Sequence, residues 1–89
     1  MTKRNLQITY DNGRPLAAYL GFSRPNGARA VRSEELGDGL VVDFDSGGAP
    51  LGLEIVNPEI VTGPQINEVL ASLGLPEMTK QELSPLPAA

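Results

Sequence analysis

Residues 39–56, GLVVDFDSGGAPLGLEIV, leave little freedom in how the chain can pair with itself. Two apolar runs flank Gly47-Gly48, a turn signal between strands. A two-residue loop pairs Ser46 with Ala49, so that partner numbers sum to 95, and a four-residue loop keeps the same sum. Position 44 then faces 51, 42 faces 53 and 40 faces 55. One face of the hairpin is Leu40, Val42, Phe44, Leu51, Leu53 and Ile55, all apolar, and the other is Val41, Asp43, Asp45, Pro50, Gly52 and Glu54. A one-residue slip would set apolar side chains beside carboxylates, so the register is well specified.

Upstream, NLQITY alternates, with Leu6, Ile8 and Tyr10 against Asn5, Gln7 and Thr9, which predicts a half-buried strand. The turn DNGR follows, then the strand LAAYLGF, the loop SRPNG, a third strand near ARAVRS and the turn ELGDG. An Asn12-Gly13 two-residue turn gives partner sums of 25. An odd loop gives 26, which puts Leu16, Ala18, Leu20 and Phe22 beside Leu6, Ile8 and Tyr10, and is preferred. Tyr19 is then left on the far face, needing a covering element or a partner chain.

From residue 62 the period becomes helical. Thr62 or Gly63 caps, Pro64 stands near the first turn, and Ile66, Val69, Leu70 and Leu73 form one stripe closed by Gly74 and Pro76. Thr79 and Glu82 have the spacing of a capping box for a second, short helix, and SPLPAA reads as a frayed, extended tail. The expected fold is α+β: an antiparallel β-meander of about five strands packed against one C-terminal helix. Residues 1–76 form the single domain, and 77–89 a short helix or poorly ordered tail. The six inward side chains of the 39–56 hairpin, at about 1.5–3 kcal/mol each, favour folding by on the order of 10 kcal/mol before chain entropy.

The 89 residues include neither cysteine nor histidine, which removes disulfides, thiol nucleophiles, zinc sites of the usual ligands and imidazole catalysis. A metal would need oxygen ligands. No signal peptide or membrane span is legible, and a cytoplasmic protein is expected. Charge is segregated: residues 1–32 hold six basic side chains against Asp11, a net of +5, whereas residues 33–89 hold Lys80 against ten acids, a net of −9. Mutual neutralisation of the two halves across adjacent strands is the simplest expectation. The net charge of −4 argues against an ordinary nucleic-acid binder.

The segments LQITYD, YLGF and DGLVVDFDSGGAPLGLEIVNPE resemble a family of small bacterial and archaeal proteins called domain of unknown function 2283. The resemblance covers residues 5 to about 59 and is carried mainly by Asp38, Gly39, Asp43, Asp45, Gly48, Gly52, Glu54 and Ile55. Relatives commonly read Asp-Ala-Leu-Tyr where this chain has RPLAAYL, so an acid of the pattern is missing here. The resemblance implies a compact β-rich fold, no assigned activity and no cofactor, with small toxin-like proteins as neighbours.

Asp43, Asp45 and Glu54, with Tyr19, are the candidate partner-binding residues. The expected role is a non-catalytic interaction module, the neutralising partner of a small basic toxin-like protein, acting with that protein or as a homodimer. The alternative is a small-molecule or oxygen-liganded metal-binding domain using Asp43, Asp45 and Glu54, which in this register can converge over Gly52. Catalysis by paired carboxylates would need a deep apolar pocket, which nothing in so short a chain suggests. No catalytic residue is assigned. The five glycines of the 37–52 region fit no phosphate-cradling motif, and Gly52, inside a strand, marks a bulge or the close approach of another backbone.

Overall fold

The computed structural model describes residues 4–22 and 27–89. The predicted loop SRPNG, except for Gly27, lies outside the described residues, as does Lys3. Five antiparallel strands, β1 (Asn5–Asp11), β2 (Arg14–Gly21), β3 (Arg32–Gly37), β4 (Leu40–Phe44) and β5 (Pro50–Ile55), are followed by helix α1 (Gly63–Ser72) and the short α2 (Lys80–Leu83). The α+β class, the strand number and the helix against the sheet are as expected.

Strand order departs from a single meander. It is β1-β2-β5-β4-β3, a hairpin joined to a three-stranded meander through the pairing of β2 with β5. β5, with both backbone edges occupied, is the central strand, and its Leu51, Leu53 and Ile55 are buried. β3 takes the outer place, and its residues RSEELG are almost entirely exposed. It also begins later than the predicted ARAVRS segment. An edge strand can be polar on both faces, so it has no apolar period for sequence reading to detect.

Both hairpins reconcile two parities with a bulge. Asn12 and Gly13 both have positive φ, 52° and 78°, as a two-residue type I′ turn requires, and Asp11 pairs with Arg14, a sum of 25. From Thr9 opposite Ala17 onward the sum is 26, the preferred value, because Leu16 is an extra residue and points to solvent. The second hairpin does the reverse. Asp45 N–H bonds to the Ala49 carbonyl and Gly48 N–H to the Asp45 carbonyl, which makes an odd, three-residue loop with Gly48 at φ +85°. The expected two-residue loop is therefore wrong at the turn. An extra residue at Leu51 restores the expected register, with Asp43 opposite Gly52, Val42 opposite Leu53 and Leu40 opposite Ile55.

The apolar sheet face meets α1 through Ile66, Val69 and Leu70, all buried with Leu20, Leu40, Val42, Leu53 and Ile55 in one cluster. Thr62 caps α1, forming a capping box with Gln65. The last segment is no frayed tail. α2 forms with Thr79 as its cap, Leu86 N–H bonds to the Leu83 carbonyl and Ala89 N–H to the Leu86 carbonyl, and Met78, Leu83 and Leu86 are buried in the same cluster. The short helix is the one that the Thr79–Glu82 spacing predicts, whereas the docking of Leu86 beyond it has no apolar period to announce it.

Ion pairs join the basic and acidic parts of the chain: Arg4 with Glu82 at 3.3 Å, Arg14 with Glu59 at 3.1 Å, and Arg32 with Glu34. The first two reach from the β1–β2 hairpin to the C-terminal segments and do not cross neighbouring strands as expected. Arg14 is too exposed for its pair to count for much. Arg4 is different, with a side chain only 12% exposed. Its guanidinium donates to the carbonyls of Pro76 and Glu77, strapping the start of β1 to the segment that leads into α2.

Glu82 completes that strap. Thr79 N–H donates to its Oε1 at 2.9 Å, and Glu82 N–H donates to Thr79 Oγ1 at 3.1 Å. The backbone bond from Thr79 is the largest influence on the carboxyl, and with Arg4 nearby it outweighs desolvation and holds the group below its ordinary value of 4.5. A depressed folded pKa means that this group's stabilisation is complete above the ordinary value and is lost as pH falls through the folded one. Glu82→Gln keeps a side chain able to close the box but removes the charge. Melting temperatures of parent and variant, measured from about pH 7 down to about pH 3, are expected to differ at neutral pH and converge in acid. A constant difference would assign the effect to geometry alone.

Candidate functional site

The sheet is covered by helices on one face. Two residue rows cross the other face: Asn5, Gly21, Gly52, Asp43 and Ser33, and next to it Gln7, Tyr19, Glu54, Val41 and Glu35. These rows contain three carboxylates and neither lysine nor arginine. No described helix lies over them, and Glu54 and Glu35 are exposed while Tyr19, Val41 and Asp43 are half-buried.

Tyr19 and Asp43 are held together. The Tyr19 hydroxyl donates to Asp43 Oδ2 at 3.3 Å, and Ser33 Oγ donates to Asp43 Oδ1 at 2.6 Å. Both oxygens of Asp43 are thus engaged from strands on either side, which fixes the carboxylate at the centre of the face. The Tyr19 ring reaches Asp43 by lying across Gly52. A β-carbon at Gly52 would stand 2.8 Å from Tyr19 Cε2 and closer still to Cζ and the hydroxyl. The close approach expected at Gly52 is therefore made by a side chain and not by another backbone, and the cover expected for Tyr19 comes partly from its own sheet. Ser33 had no signal in the sequence, because its role depends on β3 being paired to β4.

A β-carbon at position 52 is accordingly expected to displace Tyr19. Gly52→Ala should cost about 1–3 kcal/mol in urea unfolding, the range for an overpacked site, and the same change in a Tyr19→Ala background less than about 0.5 kcal/mol. Equal costs in both backgrounds would show that the ring does not occupy the space over Gly52.

Asp45 does not join this group. Its Oδ1 accepts from the backbone N–H groups of Gly47 and Ala49, each at 2.9 Å, so the side chain builds the hairpin loop. Glu54 lies diagonal to Asp43, as the register predicts, and makes no hydrogen bond or ion pair among the described residues. Among the described residues no three carboxylates gather in a way that could hold a metal ion. The convergence required by the cation reading is not formed. A separate cleft of about 340 Å³, lined by Asp38, Gly39, Val56, Asn57, Ile60, Val61 and Gln65, lies at the end of the sheet beside the cap of α1. No described helix is long and apolar enough to cross a membrane.

A two-layer α+β domain with one open, acidic sheet face is the class that this architecture defines. Residues 17–57 match the model of the family described as Protein of unknown function (DUF2283), the family that the sequence motifs resemble. The match runs from β2 to just beyond β5 and takes in Tyr19, Asp43, Asp45, Gly52 and Glu54, leaving β1 and both helices outside it. No curated protein and no solved structure matches the chain.

Proposed function

We propose that the domain is a non-catalytic interaction module whose open sheet face receives a lysine- or arginine-rich surface of a small basic protein, such as a toxin-like partner. The observation that carries this reading is the composition of the two rows around Tyr19: Asp43, Glu54 and Glu35 as carboxylates, with neither lysine nor arginine among the strand residues of those rows. A guanidinium or ammonium brought to this face has the exposed Glu54 within reach for a charge-assisted bond. Packing the same face of a second copy onto this one would bring like charges together, which disfavours a face-to-face homodimer. Asp45, occupied by its own turn, is left out of the contact.

The test is titration with a fluorescent arginine-rich peptide at about 50 mM and about 300 mM salt. Binding should weaken with salt, and Glu54→Gln combined with Glu35→Gln should weaken it at least about tenfold, while Glu68→Gln, exposed on α1 against the other face of the sheet, leaves it unchanged. Binding that ignores salt and both acidic positions would remove the open face from the mechanism. Recovery of a basic protein on the parent, lost on the double variant, would identify the natural partner.

A further inference from the structure

The two edges of the sheet are built differently. β3 presents Arg32, Glu34 and Glu35 and is interrupted by a bulge at Leu36, which are devices that deter pairing with another chain. β1 reads NLQITY up to Asp11, without charge, proline or bulge of its own, and among the described residues no hydrogen bond reaches its outer edge. Leu6 and Ile8 on its inward face are only half-buried although they pack on the core, and Tyr10 is 59% exposed. The guarded edge and the unguarded one belong to the same sheet.

We infer that a second copy of this chain pairs antiparallel with β1, joining two sheets edge to edge about a two-fold axis. The register follows from the hairpin. Asp11 and Arg14 close a two-residue turn and therefore exchange hydrogen bonds, and alternation makes Tyr10 opposite Pro15 a non-bonded pair, where the missing N–H of proline costs nothing. Continued past the bulge, the alternation directs the backbone groups of Leu6, Ile8 and Tyr10 outward. A two-fold axis through Ile8 sets Leu6 opposite Tyr10 of the second copy and Ile8 opposite its own counterpart. All outward groups are then paired, and the half-buried Leu6 and Ile8 and the exposed Tyr10 cover one another on the core side. Gln7 meets Thr9, and Asn5 meets Asp11, so no like charges face each other. A register moved by one residue would put Leu6 beside Thr9 and turn the two helical layers to opposite sides.

This two-fold axis runs perpendicular to the sheet. The open faces of the two copies therefore lie side by side on one surface, and nothing in the pairing requires the acidic face to have a partner.

The absence of cysteine makes the register directly testable. Gln7→Cys and Thr9→Cys chains, mixed and oxidised, should form a disulfide-linked heterodimer several-fold faster than either chain alone, since opposed non-bonded residues have Cα atoms about 4.5 Å apart. Sedimentation of the parent should show a concentration-dependent dimer. Tyr10→Pro, which removes an outward N–H from an edge strand, should sediment as a monomer while keeping a cooperative melt. A parent that is monomeric up to about 1 mM overturns the inference, as does a dimer whose mixed cysteine chains cross-link no faster than the separate ones. If Tyr10→Pro fails to fold, the cross-linking rates decide.

Discussion

A Leu53→Asp chain is expected to show no cooperative thermal transition. Leu53 is fully buried in the central strand, with Leu20 opposite it on one side and Val42 on the other. Removing its side chain from the core forfeits about 2–3 kcal/mol of transfer free energy. An aspartate in its place must either remain charged without a partner or take up a proton, at a further cost of several kcal/mol. The total stability of a chain of this length is only about 5–13 kcal/mol, so the two losses consume most or all of it. The neighbour supplies the control. Glu54 lies on the open face, exposed and with no hydrogen bond or ion pair among the described residues, and Glu54→Ala is expected to change stability by less than about 0.5 kcal/mol. Circular dichroism melts of both variants decide the register: a cooperative transition in Leu53→Asp near that of the parent would mean that β5 faces the other way.

The second large effect lies near the end of the chain. Leu86 is 3% exposed and belongs to the same cluster as Leu83, Met78 and the sheet face. Leu86→Ala is expected to cost about 2–3 kcal/mol, the low part of the range for buried leucine, because a segment held by one short helix can partly collapse into the space. For a domain of this size that lowers the melting temperature by roughly 10–20 °C. Pro87→Ala, one residue further and exposed, should leave it within about 3 °C. A frayed end would make the two variants indistinguishable, so thermal unfolding of this pair separates a docked segment from a dangling one.

Leu86 also shows where sequence reading stops. Its segment, SPLPAA, has two prolines and no apolar period, and by local criteria it is a tail. Its burial comes from joining the core cluster that the sheet residues Leu20, Val42 and Leu53 build much earlier in the chain. Arg4 is a similar case: an exposed cation by its neighbours in sequence, yet bonded to the carbonyls of Pro76 and Glu77. The Tyr19, Gly52, Asp43 and Ser33 group draws on four strands. Three of those residues were singled out from sequence, but their contact depends on β2 pairing with β5, and the alternation within each strand says nothing about which strand lies beside it.

The sequence by itself determined what acts over short distances: the register of the 39–56 hairpin beyond its turn, the six side chains of its apolar face, the span of α1 with its Thr62 cap, and the second cap at Thr79. These follow from periods of two and 3.6 residues and from hydrogen bonds within a single turn, which any chain with these residues would form. Only the tertiary structure decided the strand order, the loop parities that the bulges at Leu16 and Leu51 absorb, the docking of the last residues, and the assembly of an acidic face around Tyr19. Each of these joins residues far apart in the chain, where the outcome is set by which pairing leaves the least apolar surface in water across the whole sheet.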